Sequence, residues 1–279
     1  MSKLNIISMA GGLGNQMFQY AFYLSLKVKE PKSITKVYIA KYSLHNGYEL
    51  DTVFDIKKHL ISNFITGFLK KMLKKWTLKI QDLAIGTYTN FETDASKIVY
   101  YSGYWQSEKY FINAENIIRQ QFRFKDELLN KKNKELIKEF SNKNTVSVHI
   151  RRGDYVTNTD ANILLGGLCD LNYYEKALSI IEKNVRDPYF YFFSDDIEWA
   201  KKHFSNLRNV YFVDWNHKAD SWQDMFLMSK CTHNIIANSS FSWWGAWLNE
   251  NIDKIVIAPS KWFRSHETLD ILPENWTKI

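Results

Sequence analysis

Short apolar runs alternating with amphipathic segments of helical period predict an α/β protein, with mostly parallel sheets covered on both faces and two Rossmann-like domains. Three observations carry this prediction. The alternation persists from residue 5 to residue 258. The length, 279 residues, suits two domains of about 130–150 residues each. Hydrophobic residues make up 45% and charged residues 24%, enough apolar side chains for a substantial core and too few charges for a disordered chain.

The predicted strands are short apolar runs bounded by turn residues: Asn5–Met9, Lys36–Ala40, Ile98–Ser102, Thr145–Ile150, Tyr189–Phe193, Val210–Val213, Asn234–Ala237 and Lys254–Ala258. Between them, apolar residues recur at helical spacing over Gln16–Lys29, Asn113–Gln121, Lys125–Phe140, Asn172–Asn184, Ile197–His203, Gln223–Lys230 and Ser240–Glu250. The stretch Lys125–Asn144 is polar and lysine-rich, and the most regular alternation begins beyond it. The boundary is therefore expected there, giving domains 1–143 and 144–279. There is no internal repeat and no proline-rich linker.

The net charge of +7 permits a phosphate-bearing ligand without demanding one, because lysine is spread along the chain. A basic patch interleaved with aromatics is missing, so nucleic acid is not expected as a partner. Cys169 and Cys231 are too few for a disulfide framework and sit in no metal-binding spacing, which favours a reducing compartment. No apolar leader precedes the first strand, and a cytoplasmic protein is expected. Residues Phe64–Ile80 read as a basic amphipathic surface helix, with peripheral contact to the inner membrane as the alternative use of such a stretch.

Four segments carry chemistry. Ala10-Gly11-Gly12-Leu13-Gly14-Asn15-Gln16 follows the first strand, where glycines let a backbone approach an anion at a helix start. It lacks the third glycine of a dinucleotide fingerprint and the lysine of a P-loop, so a plain tight turn explains it equally well. His149-Ile150-Arg151-Arg152-Gly153-Asp154-Tyr155 closes a buried strand with two guanidiniums, which match phosphate oxygens, or else an aspartate in a structural ion pair. His149 itself is either a ligand contact or a satisfied core histidine. In Phe193-Ser194-Asp195-Asp196 a second strand ends in acceptors suited to ribose hydroxyls or a base edge, or, at Ser194 or Asp195, to capping the helix Ile197–His203. Asn238-Ser239-Ser240-Phe241-Ser242-Trp243-Trp244-Gly245-Ala246 combines hydroxyls with a helix start, and its tryptophans suit either close packing or a sugar-stacking face.

No pair of aspartates stands in D-x-D spacing, and the seven histidines form no i, i+4 ligand pair, so neither a metal nor a cofactor is expected.

Together with Gly103-Tyr104-Trp105-Gln106-Ser107-Glu108, these segments resemble, in order and spacing, the α1,2-fucosyltransferases of glycosyltransferase family 11. The resemblance implies a GT-B fold of two facing Rossmann-like domains, the second holding GDP-fucose. It implies inverting, metal-independent transfer of L-fucose to the 2-hydroxyl of a galactose-containing glycan, in some members lipid-linked, for O-antigen or a related surface glycan. By the same resemblance Arg151 and Arg152 bind the diphosphate with Asn238, Ser239, Ser240 and Phe241, and His149 lies against the donor. Asp195 or Asp196 holds the ribose or guanine, and Asn15 reaches toward the donor sugar. In the related α1,6-fucosyltransferases a glutamate eight positions beyond the first motif arginine is the base. Thr159 stands here, which leaves Asp154 as the first candidate base, alongside Arg152 in the catalytic set, and Asp160 as the second. A fucosyltransferase of other regiochemistry and a non-catalytic glycan-binding protein are the alternatives. The latter leaves Arg151, Arg152 and the Ser239-Ser240 turn unexplained.

Overall fold

The computed structural model describes residues 2–39, 46–56, 77–82, 85–91 and 97–279. The first apolar run forms β1 (Leu4–Met9), which turns through Gly11 and Gly12 into a helix at Leu13–Lys29. That helix is buried over Leu13–Leu26 apart from Asn15, and ends on Lys27 and Lys29, cations that suit its negative terminus. β2 (Ile34–Ile39), β3 (Thr77–Gln81) and β4 (Ile98–Ser102) join β1 in a parallel sheet of order β2-β1-β4-β3. An aromatic cluster fills the space beside this helix: Phe22 stacks on Trp105 at 4.3 Å and meets Tyr101 and Tyr110 edge-on.

The second sheet is built from β5 (Asn144–Ile150), β6 (Pro188–Ser194), β7 (Val210–Val213), β8 (His233–Ile235), β9 (Val256–Ala258) and β10 (Thr277–Lys278), in the order β10-β9-β8-β5-β6-β7 with every pair parallel. The alternation along β5 explains how both faces are covered. Val146, Val148 and Ile150 meet the helix Leu171–Asn184 through Tyr174, Ala177 and Ile181. Thr145, Ser147 and His149 point the other way, where Asn234 donates to Ser147 Oγ at 2.7 Å. Trp243 and Trp244 in the helix Ser240–Leu248 are fully buried, and Gly245 lies against Met228 of the helix Trp222–Lys230. The tryptophans serve close packing, and the sugar-stacking alternative falls.

The chain divides into unit 1, Met1–Lys125 with Leu269–Pro273, and unit 2, Asp126–Thr268 with Glu274–Ile279. The boundary lies between 125 and 126 rather than 143 and 144. The cause is a polar network that fastens the helix Lys131–Phe140 to unit 2: Asn133 donates to Asn216 Oδ1 and Gln223 Oε1 at 2.9 and 2.7 Å, and Trp215 donates to Asn133 Oδ1 at 2.7 Å. This helix begins six residues later than expected, where Asn130 caps it by accepting from Asn133 N at 2.9 Å. Sequence reading missed β3 and β10. Thr77–Ile80 lies in β3 rather than in an amphipathic helix, and residues 64–76 of that stretch lie outside the described residues. Among the described residues no helix is long and apolar enough to cross a membrane.

Candidate functional site

In unit 2 the chain leaves β5 toward β6 and β7 on one side, and later fills β8, β9 and β10 on the other. Neighbouring strands β5 and β8 therefore flank the point where strand order reverses, and loops at the carboxyl ends of such strands part to leave a crevice. Arg151 and Arg152 follow β5, while Ser239 and Ser240 follow β8, so the topology brings together two motifs nearly ninety positions apart. Asp195 and Asp196 follow β6, beside β5.

The acids arrange the two arginines differently. Arg151 donates through Nη2 to Asp154 Oδ1 at 2.7 Å and through Nη1 to Asp195 Oδ2 at 2.9 Å, and its guanidinium lies 5.6 Å from the Tyr155 ring centroid. The Arg152 guanidinium donates only through Nε, to Asp196 Oδ2 at 2.9 Å, among the described residues. Its guanidinium sits 4.6 Å from the Trp199 ring centroid, a cation–π contact, and Nη1 and Nη2 have no partner among the described residues. A guanidinium pinned at Nε and supported on one face presents its terminal fork in a fixed plane. The backbone adds to this order: Arg152 N donates to Asp195 Oδ1 at 2.8 Å, and a Cβ at Gly153 would stand 2.6 Å from Asp195 Oδ2, so only glycine admits the carboxylate so close.

His149 is 6% exposed, its ring lies 5.8 Å from that of Phe241, and Nδ1 has no partner among the described residues. Burial pushes its pKa down to about 4; Asp195 opposes this and Arg151 reinforces it. The imidazole is neutral at pH 7. Tyr174 Oη donates to the His149 carbonyl at 3.0 Å and fixes the end of β5.

Ser239 caps the last motif's helix by accepting from Phe241 N at 3.3 Å, while Ser240 Oγ has no partner among the described residues. Asn238 departs from expectation. It is buried, its Nδ2 donates to the Leu165 and Trp262 carbonyls at 3.0 and 3.1 Å, and its Oδ1 accepts the Cys169 thiol at 3.5 Å. Both N–H donors of the carboxamide are taken by backbone carbonyls, so this side chain shapes the loop and keeps only acceptor capacity at Oδ1 for a ligand. The helix Ile197–Phe204 is capped by Asp196 through Oδ1 rather than by Ser194 or Asp195, and Asp196 Oδ2 holds Arg152, a use the sequence did not suggest. Asp160 stands exposed in the first turn of the helix Thr159–Leu165.

Asn15 lies apart from this group in sequence and belongs to unit 1. Its turn is held by buried glutamines: Gln16 Nε2 donates to the Gly11 and Gly47 carbonyls at 2.9 and 2.8 Å, and Gln19 Oε1 accepts from Ala10 N at 2.9 Å. Gly11 has φ +86°, and a Cβ there would lie 2.8 Å from Asn15 Nδ2. Sequence reasoning missed Trp199, Tyr155 and Gln106 as parts of these sites. Trp199 carried a faint signal, three positions beyond the cap Asp196, where a first-turn side chain lies near the cap.

The whole chain, residues 1–279, matches the family described as Glycosyl transferase family 11. It is 38% identical to an alpha-1,2-colitosyltransferase of Escherichia coli, over 98% of both chains. It is 32% identical to the O-antigen biosynthesis glycosyltransferase WbnK of the same organism, over 97% of this chain and 99% of the other. The crystal structure of NodZ alpha-1,6-fucosyltransferase soaked with GDP-fucose superposes with a TM-score of 0.56 at 12% identity, over 88% of this chain and 92% of that one, which fits the GT-B class. With the arginine strand end, the serine turn and a full-length match in agreement, the chain belongs to glycosyltransferase family 11.

Proposed function

We propose that the protein transfers L-fucose from GDP-fucose to the 2-hydroxyl of a galactoside, with inversion and without a metal ion, in the building of O-antigen or a related surface glycan. One observation carries this reading: the free Nη1/Nη2 fork of Arg152, pinned by Asp196 and supported by Trp199 at the carboxyl end of β5. Breaking the fucosyl–phosphate bond places negative charge on GDP, and a preorganised guanidinium stabilises that charge as it develops. Arg151, the Ser240 hydroxyl and the start of the helix Ser240–Leu248, with the Phe241 backbone, support the same phosphates. Neutral His149 lies against the donor, and Asp195 holds the arginines in register while Asp196 or Asp195 meets the ribose. Asn15 contacts the donor sugar.

Asp154 is the proposed base. Arg151 occupies its Oδ1 and leaves Oδ2 to accept the proton of the attacking hydroxyl. That hydroxyl attacks opposite the departing phosphate, so a β-linked donor gives an α-fucoside.

The 38% identity to an alpha-1,2-colitosyltransferase favours a second reading of the donor. Colitose is L-fucose without its 3-hydroxyl, and the diphosphate machinery is indifferent to that change. The deciding experiment offers the protein GDP-fucose and the GDP derivative of colitose in competition, with a panel of galactosides, and identifies the linkage of the product by NMR. Preference for GDP-fucose and a 2-linked product supports the main reading. Preference for the deoxy sugar replaces the donor, and a linkage to another hydroxyl replaces the regiochemistry.

A further inference from the structure

The segment Gly103–Glu108 follows β4, and the glycine turn follows the adjacent β1, so the two loops rise side by side from the carboxyl edge of the unit 1 sheet. Gln106 Nε2 donates to Asn15 Oδ1 at 2.8 Å, the only hydrogen bond of the Asn15 side chain among the described residues. Gln106 is 6% exposed, and its own Oε1 is buried without a partner among the described residues.

The backbone around Gln106 is held in an unfavourable shape. Trp105 has φ +56°, a left-handed conformation uncommon for a bulky residue, and its indole Nε1 is also buried without a partner among the described residues. Asp82 Oδ2 accepts from Trp105 N at 2.8 Å and fixes this turn. Burial pushes the Asp82 carboxyl up, against the backbone N–H groups of Trp105 and Tyr104. Gln19 Nε2 holds the Gly103 carbonyl at 2.9 Å. A strained turn that buries two unmet polar atoms does not serve stability. What it achieves is the placement of one carboxamide against another.

We propose that Gln106 is a positioning residue, which fixes the orientation of the Asn15 carboxamide so that Asn15 meets a sugar hydroxyl. Exchanging nitrogen and oxygen on both amides preserves the Gln106–Asn15 bond and leaves Asn15 with one polar atom open in either arrangement. A hydroxyl both donates and accepts, so it complements either. The inference rests on the proposed transferase reading, and the hydroxyl comes from the donor sugar or from the acceptor.

Gln106→Met keeps the shape of the side chain and removes its amide. The expected result is a melting temperature equal to or above wild type, unchanged GDP affinity by calorimetry, and kcat/KM for transfer reduced about tenfold, on the scale of one hydrogen bond. In an Asn15→Ala background the same change should cost less than about twofold, because the role runs through Asn15. A loss that tracks a lowered melting temperature, losses that multiply in the double variant, or unaltered turnover would overturn the inference. A raised KM for GDP-fucose assigns the hydroxyl to the donor, and a raised KM for the galactoside assigns it to the acceptor. The second measurement is independent of turnover. The Asn15 side-chain amide signals in a nitrogen-15 NMR spectrum should move on titration with GDP-fucose or with methyl β-D-galactopyranoside, and Gln106→Met should abolish the movement. If wild type transfers nothing from either nucleotide sugar, the transferase reading fails while the NMR titration still decides the pair. Silence toward both probes overturns it.

Discussion

Both units raise loops from the carboxyl edge of a parallel sheet, but they furnish them with opposite chemistry. Beyond β5 and β6 in unit 2, five charged side chains lie together, Arg151, Arg152, Asp154, Asp195 and Asp196, their ion pairs between 2.7 and 2.9 Å. Beyond β1 and β4 in unit 1, the corresponding loops are joined by carboxamides, Asn15 to Gln106 at 2.8 Å and Gln19 to Gly103 at 2.9 Å. The difference matches what each kind of group can recognise. Guanidiniums suit a doubly charged leaving group, whereas neutral amides orient a neutral polyol without adding charge to it.

The largest effect that sharpens this contrast is expected at the charged edge. Asp154→Asn should lower turnover by about 10²-fold or more while GDP binding stays normal, measured by steady-state kinetics beside calorimetry. A parallel loss of GDP affinity would make Asp154 an aligner of Arg151, and near-normal turnover would move the base to Asp160. Arg152→Ala should weaken GDP binding at least about tenfold, the scale of one charge-assisted hydrogen bond of about 1.5–3 kcal/mol, with the fold intact. An unchanged dissociation constant would break the assignment, and a marked fall in ligand-free melting temperature would return the arginine to a structural ion pair.

A smaller effect separates these paired charges from a carboxyl that the same unit keeps neutral. Asp224 is half-buried and accepts from Asn216 Nδ2 at 2.7 Å, and the desolvation of its carboxyl raises its pKa from 3.8 to about 8. The folded state therefore holds this proton more tightly than the unfolded chain, so its stabilising contribution is complete below pH 3.8 and is lost as the pH rises through about 8. Asp224→Asn should melt several degrees above wild type at pH 9 and lose that advantage in acid, by scanning fluorimetry. His149 has the opposite sign: its folded pKa of about 4 lies below the ordinary 6.5, so stability falls as the pH drops through that window. The smallest effect is none: turnover should persist in EDTA if, as proposed, the arginine fork takes the place of a divalent cation. Activity abolished by chelation and restored by Mg²⁺ would break that account.

What was legible in the sequence follows from range. β5 could be read because Val146, Val148 and Ile150 alternate with polar residues, and the arginines could be read because charge directly after such a buried strand is costly without a partner. β3 escaped because Thr77–Gln81 carries Lys79 amid a basic stretch, and only pairing with β4 makes it a strand. The two-residue β10 carries no periodicity at all. The domain boundary was misjudged because the apolar pattern of Lys131–Phe140 gives no hint of a network made by Asn133, Asn216 and Gln223, side chains up to ninety positions apart. Trp199 and Gln106 were passed over for the same reason: their partners, Arg152 and Asn15, are distant in the chain.

The last eleven residues serve both units in turn. Leu269–Pro273 belongs to unit 1, where Asp270 accepts from Tyr88 N at 2.8 Å, and Thr277–Lys278 then completes the edge of the unit 2 sheet as β10. During synthesis neither unit holds its full set of contacts until residues 269–279 have been made. Domain-by-domain maturation from the amino end, the usual route for chains of this size, leaves unit 1 unfinished for the whole translation of unit 2. A stop codon shortly before residue 269 would thus injure two units at once, and neither could be expressed intact by cutting the chain at a single point.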